Sequence, residues 1–351
     1  LCIVSNSQKR VLSGASALNE AMRQAMELDD SVIVIGEDIA GGAGLGGPNE
    51  GEMGGSFGVT RGLLELFGPS RVRDTPISEA AIAGIGLGAA ASGLRPIVDM
   101  MWSSFTPLAF DQIFNQTAKM RYMFGGQVQV PMVFRMAMGA GLGAAGQHSD
   151  TLYSLFTHIP GLKVVVPSSP HDAKGLLSSS IADNNPVMFF EHMGLYGMKE
   201  SVPESPFQIP LGEANIVKEG KDITLVAISM MVRKAIEAAQ TLGQKGISVE
   251  IIDPRTLSPL DNETITHSVR KTGRLVIVDE SPPRCSIATD IAAIVGESAH
   301  AKLKAPIRRV SAPHTPVPLS PTLENAYIPS VEKISQVVAG LFSTTASQSL
   351  A

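Results

Sequence analysis

The chain has 351 residues, more than one core usually holds and enough for two domains. Apolar residues make up 44% of it and charged residues 17%, which excludes an intrinsically disordered chain. A net charge of −5 without a basic block argues against nucleic acid or an anionic membrane surface as partner, and the two cysteines, Cys2 and Cys285, exclude a disulfide framework and suit a reducing compartment.

The opening residues, LCIVSNSQKRVLSG, lack a long apolar run followed by a small-residue cleavage site, so no secretory signal is expected. A start at Leu1 leaves room for a removed targeting segment; the expected compartment is a bacterial-type cytoplasm, or the mitochondrial matrix if such a segment existed.

Residues 13 to 28 place Leu18, Ala21, Met22, Ala25 and Met26 on one face, the spacing of a helix. Residues 31 to 35 (SVIVI) read as a buried strand, and Gly36-Glu37-Asp38 follows where parallel α/β sheets place their ligands. The glycine-rich stretch 41 to 58 has neither a Gly-Lys-Ser/Thr ending nor a clean G-x-G-x-x-G turn, so it reads as a lid or interface loop. A short helix is expected at 63 to 67.

Residues 74 to 94, DTPISEAAIAGIGLGAAASGL, form the most distinctive stretch. A turn at Asp74-Thr75-Pro76 leads to Ser78, a good helix N-cap, with Glu79 in the first turn. The 15 residues from Ala80 to Leu94 are too few for a membrane span and predict a helix buried all round, with Gly84 and Gly88 sharing a face. Taken alone, Glu79 is either a first-turn acid favoured by the helix dipole or, if buried, a carboxyl able to hold a proton near neutrality.

Next come a strand at 96 to 101, Trp102 to Phe105 at its end, and a helix at 107 to 124 with Phe110, Ile113, Phe114, Thr117 and Met120 inward. A strand at 131 to 136 leads into a second glycine-rich loop, GAGLGAAGQHSD, which carries His148. A helix at 151 to 159, a strand at 163 to 166, a helix at 171 to 183 and a strand at 187 to 190 complete a parallel sheet covered on both faces. Residues 197 to 210 read as a proline-bearing linker. Beyond it the pattern restarts, with strands near 223 to 228, 248 to 252, 274 to 279 and 307 to 310 between helices ending at 331 to 342. The fold class is α/β with two domains, 1 to 196 and 211 to 351.

Glu37, Glu79, Phe105 and His148 fall at strand C-terminal ends. For His148 the alternative is a helix-flanking histidine bonded to local backbone, and for Phe105 an ordinary core aromatic. Asp183-Asn184-Asn185-Pro186 offers oxygen ligands for a hard cation or is a simple helix stop. Cys285 reads as a small buried residue. A G-x-S-x-G elbow, a P-loop and a Gly-Asp-Gly motif of the type that holds thiamine diphosphate through magnesium are all missing.

DTPISEAAIAGIGLGAA, FDQIFNQTAKMRYMFGG, GQHSDTLYSLFTHIPGLKVVVPSSPHDAKGLL and DNNPVMFFEH resemble the beta subunit of the thiamine diphosphate-dependent first component of 2-oxo acid dehydrogenase complexes, over residues 12 to 342. GEDIAGGAGLGG, DESPPRCSIATDIAAIV and APHTPVP are more similar to the acetoin dehydrogenase branch than to pyruvate or branched-chain relatives. The resemblance implies a pyrimidine-side thiamine diphosphate domain followed by a transketolase C-terminal-like domain. It implies a cofactor shared with an alpha subunit that holds the magnesium, an α2β2 heterotetramer, and transfer of an acetyl unit to a lipoyl-bearing acyltransferase component. Glu79 matches the glutamate that bonds a pyrimidine nitrogen and promotes the cofactor's imino form. Phe105 matches the aromatic position beside the pyrimidine, with Met101 on the same strand end, His148 matches the histidine near the substrate, and Glu37 an interface acid able to share protons with Glu79. Met132, Ser180, Ile181, Asp183 and Asn185 match the positions that hold a structural potassium ion. A pyruvate dehydrogenase beta subunit is the enzymatic alternative. A non-catalytic scaffold would be signalled by loss of Glu79, Phe105 or His148, and all three are present.

Overall fold

The computed structural model describes residues 10–40 and 54–343. Cys2 and most of the expected lid, residues 41–53, lie outside the described residues.

In the first half, numbered in chain order, β1 (Val11–Ser13) leads into α1 (Gly14–Leu28), then β2 (Val32–Gly36), α2 (Leu63–Phe67), β3 (Val72–Asp74), α3 (Glu79–Ala91) and β4 (Arg95–Trp102). A 3-10 segment at Ser103–Ala109 and a π-helical segment at Gln112–Thr117 precede α4 (Ala118–Met123) and β5 (Val133–Met138). There follow α5 (Tyr153–Thr157), β6 (Lys163–Val165), α6 (Pro170–Ala182), β7 (Val187–His192), α7 (Met193–Tyr196) and β8 (Lys199–Ser201). The second half comprises β9 (Asn215–Lys218), β10 (Ile223–Ala227), α8 (Met231–Gln244), β11 (Val249–Asp253), β12 (Thr256–Ser258), α9 (Asn262–Thr272), β13 (Leu275–Asp279), α10 (Ile287–Ala299), β14 (Arg308–Ser311), α11 (Pro321–Tyr327) and α12 (Val331–Ser343).

The main sheet has the order β12-β6-β7-β5-β4-β2-β3, and every pair is parallel except β12 with β6. Strands β2, β5 and β7 are buried along their whole length, as a parallel sheet with covered faces requires. The second sheet, β14-β13-β10-β11-β9, is parallel but for β9. β12 comes from the second half yet completes the first sheet. One apolar cluster runs from Tyr153, Phe156 and Phe190 to Ile252, Ile277 and Ile291, so the two halves share a core.

Several expectations change. The stretch 197 to 210 is no free linker: β8 pairs antiparallel with β1, and the buried Lys174 ammonium donates to the carbonyls of Pro203 (2.7 Å), Glu204 (3.1 Å) and Ser205 (3.2 Å). Three ammonium donors meeting three carbonyls leave no unpaired proton on a charge taken out of water. The expected helix at 107 to 124 is split into 3-10, π and α segments, with Pro107 inside the first. Cys285 is exposed, not buried, because it occupies a tight turn after β13 with φ +48°. The helix α3 is not buried all round. Ile82, Ala83, Gly86, Leu87 and Ala90 face the sheet, while Ile85 and the preceding Ile77 stay exposed, Ile77 at 75%. Gly84 meets only Gln112, and nothing within 4 Å would meet a Cβ at Gly88. Among the described residues no helix is long and apolar enough to cross a membrane.

Candidate active site

The C-terminal ends of β2, β4 and β5 meet in register, with Gly36 opposite Asp99 and Asp99 opposite Arg135. Gly36 is required there, since a Cβ would lie 2.7 Å from Asp99 Cβ. Beyond the strand ends the chain presents the predicted side chains.

Glu79 is the first residue of α3, half-buried, and Ser78 precedes it without a side-chain capping bond. Glu37 follows β2 and is also half-buried. Burial, then the charges of Asp38 and Glu79, push the Glu37 carboxyl above the usual carboxylate range. The two acids therefore feel each other, and among the described residues neither has a hydrogen-bond or ion-pair partner. The sequence surroundings that suggested a buried Glu79 do not enclose it: Ile77, Ala80 and Ala81 all face outward.

Met101 shares a small cavity with Glu37, Phe57, Asp99 and Arg135. Its backbone has φ +60°, a left-handed conformation that costs an unbranched side chain energy. Asp99 holds it there, with Oδ1 accepting the Met101 N–H at 2.8 Å. Asp99 also pairs with Arg135, whose guanidinium donates to Glu191 Oε1 at 2.9 Å, and Tyr196 O–H donates to Glu191 Oε2 at 2.8 Å. All four side chains are buried, so a closed ionic cluster forms the floor under Met101.

The His148 ring lies between two aromatic edges, 5.0 Å from Trp102 and 5.5 Å from Phe105 by centroid, both T-shaped. The series continues from Trp102 to Phe57 (5.0 Å) and from Phe57 to Tyr196 (4.6 Å, stacked). Asp150, two residues after His148, is raised above the carboxylate range by burial, although Ser104 Oγ donates to it at 3.1 Å. The structure thus brings Glu79 within electrostatic reach of Glu37, Glu37 into one cavity with Met101, and Phe105 against His148.

Phe57, Trp102, Asp99, Arg135 and Glu191 belong to this edge and were not singled out from the sequence. A signal for the last three was available: each is a charge in an otherwise apolar buried strand, and such a charge must find a partner.

The donor set fits an aromatic heterocycle better than a metal ion. Met101 and Phe105 supply apolar walls, and the two unpartnered carboxyls can accept from or donate to ring nitrogens and amino groups. Among the described residues no group of three His, Cys, Asp or Glu side chains gathers to hold a metal ion. At the turn assigned to potassium, Arg95 Nη1 donates to the carbonyls of Ile181 and Asp183, both at 3.1 Å. The Met132 carbonyl accepts from Val187 N–H, and that of Ser180 from Asp183 N–H. Lys163 pairs with the Asp183 carboxylate and Arg121 donates to Asn185 Oδ1. Burial pushes Asp183 up, yet Lys163 and Asn185 together hold it below the usual range. The chain's own cations thus meet the oxygens of Ile181, Asp183 and Asn185.

Residues 11–199 match the pyrimidine binding domain of transketolase, and residues 212–334 match the transketolase C-terminal domain. The chain is 54% identical over 333 residues to the acetoin:2,6-dichlorophenolindophenol oxidoreductase subunit beta of Bacillus subtilis, covering 95% of this chain and 97% of that protein. It is 56% identical over 326 residues to the protein of the same name from Cupriavidus necator, covering 93% and 96%. A pyruvate dehydrogenase E1 component subunit beta from Rickettsia felis is 45% identical over 322 residues, covering 92% and 95%. Among solved structures, a split gene transketolase in an inactive beta4 tetramer aligns with a TM-score of 0.75 at 20% identity, covering 95% of this chain and 98% of that one, which is a likeness of fold.

Proposed function

The chain belongs to the family of acetoin and pyruvate dehydrogenase beta subunits built from two transketolase-type domains, and we propose that it is the beta subunit of an acetoin-cleaving member. In this reading it forms an α2β2 heterotetramer with an alpha subunit, and the acetyl unit passes to lipoamide on an acyltransferase component. The observation that carries it is the sheet edge itself. Two half-buried acids without partners among the described residues, an apolar wall and a histidine in edge contact with two aromatic rings stand together where parallel sheets build their sites. Identity of 54% and 56% to acetoin-named relatives, against 45% to a pyruvate-named one, supports acetoin as the substrate. The expected compartment is a bacterial-type cytoplasm.

Thiamine diphosphate, shared with the alpha subunit that holds its magnesium, supplies the electron sink for cleaving the bond beside the substrate carbonyl. Glu79 would hold a pyrimidine nitrogen and pass a proton to it. Glu37 would act beside it as the interface acid, its own carboxyl pushed up by burial and by the charges of Asp38 and Glu79. Met101 and Phe105 would fix the ring plane and exclude water from one side. His148 would move a proton at the substrate oxygen and guide the acyl group toward lipoamide. Its neighbours Trp102 and Phe105 restrict the ring, so that its orientation is set before substrate arrives.

The alpha subunit needs a face to dock on. The outward side of α3, with Ile85 and the preceding Ile77, and the exposed Tyr122, Met123 and Phe124 at the end of α4 are apolar groups of the kind that subunit contacts cover. Gly88 on α3, with open space where a Cβ would stand, would let a partner helix approach closely, whereas Gly84 is turned to Gln112 of the same chain.

The test is to purify the chain with its alpha subunit and measure reductive acetylation of lipoamide with acetoin and with pyruvate. Turnover of acetoin is expected. Turnover of pyruvate alone makes the chain a pyruvate dehydrogenase subunit, and turnover of neither points to a scaffold.

A further inference from the structure

The second glycine-rich loop is fastened to the other half of the molecule. Along 139–145 the backbone alternates into the left-handed region at Gly139 (φ +95°), Gly141 (+118°), Gly143 (+68°) and Ala145 (+59°). Such a path turns successive N–H groups to one side and makes a concavity for an anion. In phosphate-binding loops that anion comes from a ligand. Here it comes from the second half of the chain. Glu324 of α11 accepts from Gly141 N–H at 2.8 Å and from Gly143 N–H at 3.0 and 3.2 Å. Glu280, just after β13, accepts from Ala140 N–H at 2.6 Å and from His192 Nε2 at 2.8 Å.

Both carboxylates are almost completely buried, Glu324 at 4% and Glu280 at 3% exposure. Burial pushes Glu280 up, but His192 and the Ala140 N–H outweigh it and hold the group below the usual carboxylate range. Gly139 is obligatory, since a Cβ would meet His192 Nε2 at 2.2 Å. Ala140 packs with Ala312, Val317 and Tyr327 in a separate apolar cluster, and Gly146 lies against Pro316 and Val317. The loop ends at His148, whose own N–H donates to Ala145 at 3.3 Å.

We propose that Glu324, with Glu280 beside it, is a positioning residue that sets His148 through the backbone of residues 140–145, so that the second domain takes part in the chemistry of the first. This rests on the assignment of His148 to proton and acyl transfer. Charge-assisted bonds to two N–H groups define the loop path, and a displacement of about 1 Å at a catalytic group costs on the order of 100-fold in rate.

The test uses the reconstituted enzyme with acetoin and 2,6-dichlorophenolindophenol as electron acceptor. Glu324→Ala is expected to lose roughly 10- to 100-fold in kcat/KM, and formate, a carboxylate small enough for the vacated space, restores part of it where chloride at equal ionic strength does not. Glu324→Gln keeps one acceptor oxygen and the side-chain shape, and should fall between wild type and Ala. In a His148→Ala background, Glu324→Ala should cost nothing further. A normal Glu324→Ala enzyme beside an impaired His148→Ala enzyme overturns the clamp and leaves the His148 assignment standing. A normal His148→Ala enzyme overturns that assignment, and the proposal built on it. Additive losses in the double variant place the effect of Glu324 elsewhere and overturn the proposal.

Discussion

Two groups of acids stand side by side at the end of the first sheet. Asp99 and Glu191 are buried and closed by Arg135 and the Tyr196 hydroxyl. Glu37 and Glu79 are half-buried, near enough for the charge of Glu79 to push Glu37 up, and among the described residues neither forms an ion pair. The first pair has its charge matched inside the fold and serves as a rigid floor. Under the proposed function, the second pair takes its partner from a ligand with ring nitrogens. The same residue type is structural where its partner is in the chain and functional where its partner must come from outside.

The largest effect is expected from breaking the open pair at Glu79. Glu79→Gln preserves volume and assembly but removes the proton-passing group. It should lower kcat of the reconstituted enzyme by about 100- to 10,000-fold, the usual range for loss of a positioned acid or base. Size-exclusion profiles should match wild type. Normal turnover together with normal cofactor affinity would identify a different acid.

Breaking the closed pair should register in stability instead. Arg135→Met leaves Asp99 and Glu191 buried with no countercharge, which typically costs about 3–5 kcal/mol. Urea denaturation of the heterotetramer checks this, and a loss below about 1 kcal/mol would mean that water or another cation reaches the cluster. Met101 depends on the same floor through Asp99, so cofactor affinity should weaken along with stability.

How much of this contrast could be read before the fold was known depends on distance along the chain. The alternation of strands and helices was legible because each apolar run is local, and Ser13 capping α1 through the Ser16 N–H at 3.1 Å is a local signal too. Glu37, Glu79, Phe105 and His148 were placed at strand ends by the same local reading. The pairing of Asp99 with Arg135 and Glu191 was not, because it depends on β4, β5 and β7 lying side by side, an order set by packing between distant segments. Nor was β12, whose three residues are too few to show a period and whose partner β6 lies in the other half. The helix α3 shows a different limit. Apolar residues all round it predicted burial, yet hydrophobicity alone cannot tell a face covered by the same chain from one left for another subunit. The loop that carries His148 was visible as glycine-rich, while its anion, Glu324, sits some 180 residues away.

The smallest expected effect has the opposite sign to that of Arg135 and sharpens the contrast most. Glu37 is raised above the ordinary carboxylate value, first by burial and then by Asp38 and Glu79. A carboxyl with a raised folded-state pKa binds its proton more tightly when folded. Its contribution to stability is therefore fully present below the unfolded value of about 4.3 and is lost as pH rises through the folded one. Glu37→Gln removes that loss. The variant should gain stability at pH 8, by less than about 1 kcal/mol because solvent screens a half-exposed group, and should gain nothing at pH 4. Turnover should fall in the same variant, since an acid kept at a cost to stability is the kind that function retains. Urea midpoints at the two pH values decide it: an equal gain at pH 4 would mean that the effect does not come from the Glu37 charge, and a loss at pH 8 like that of Arg135→Met would mean that Glu37 is paired in the assembled enzyme and that the open pair is closed by the alpha subunit before any cofactor arrives.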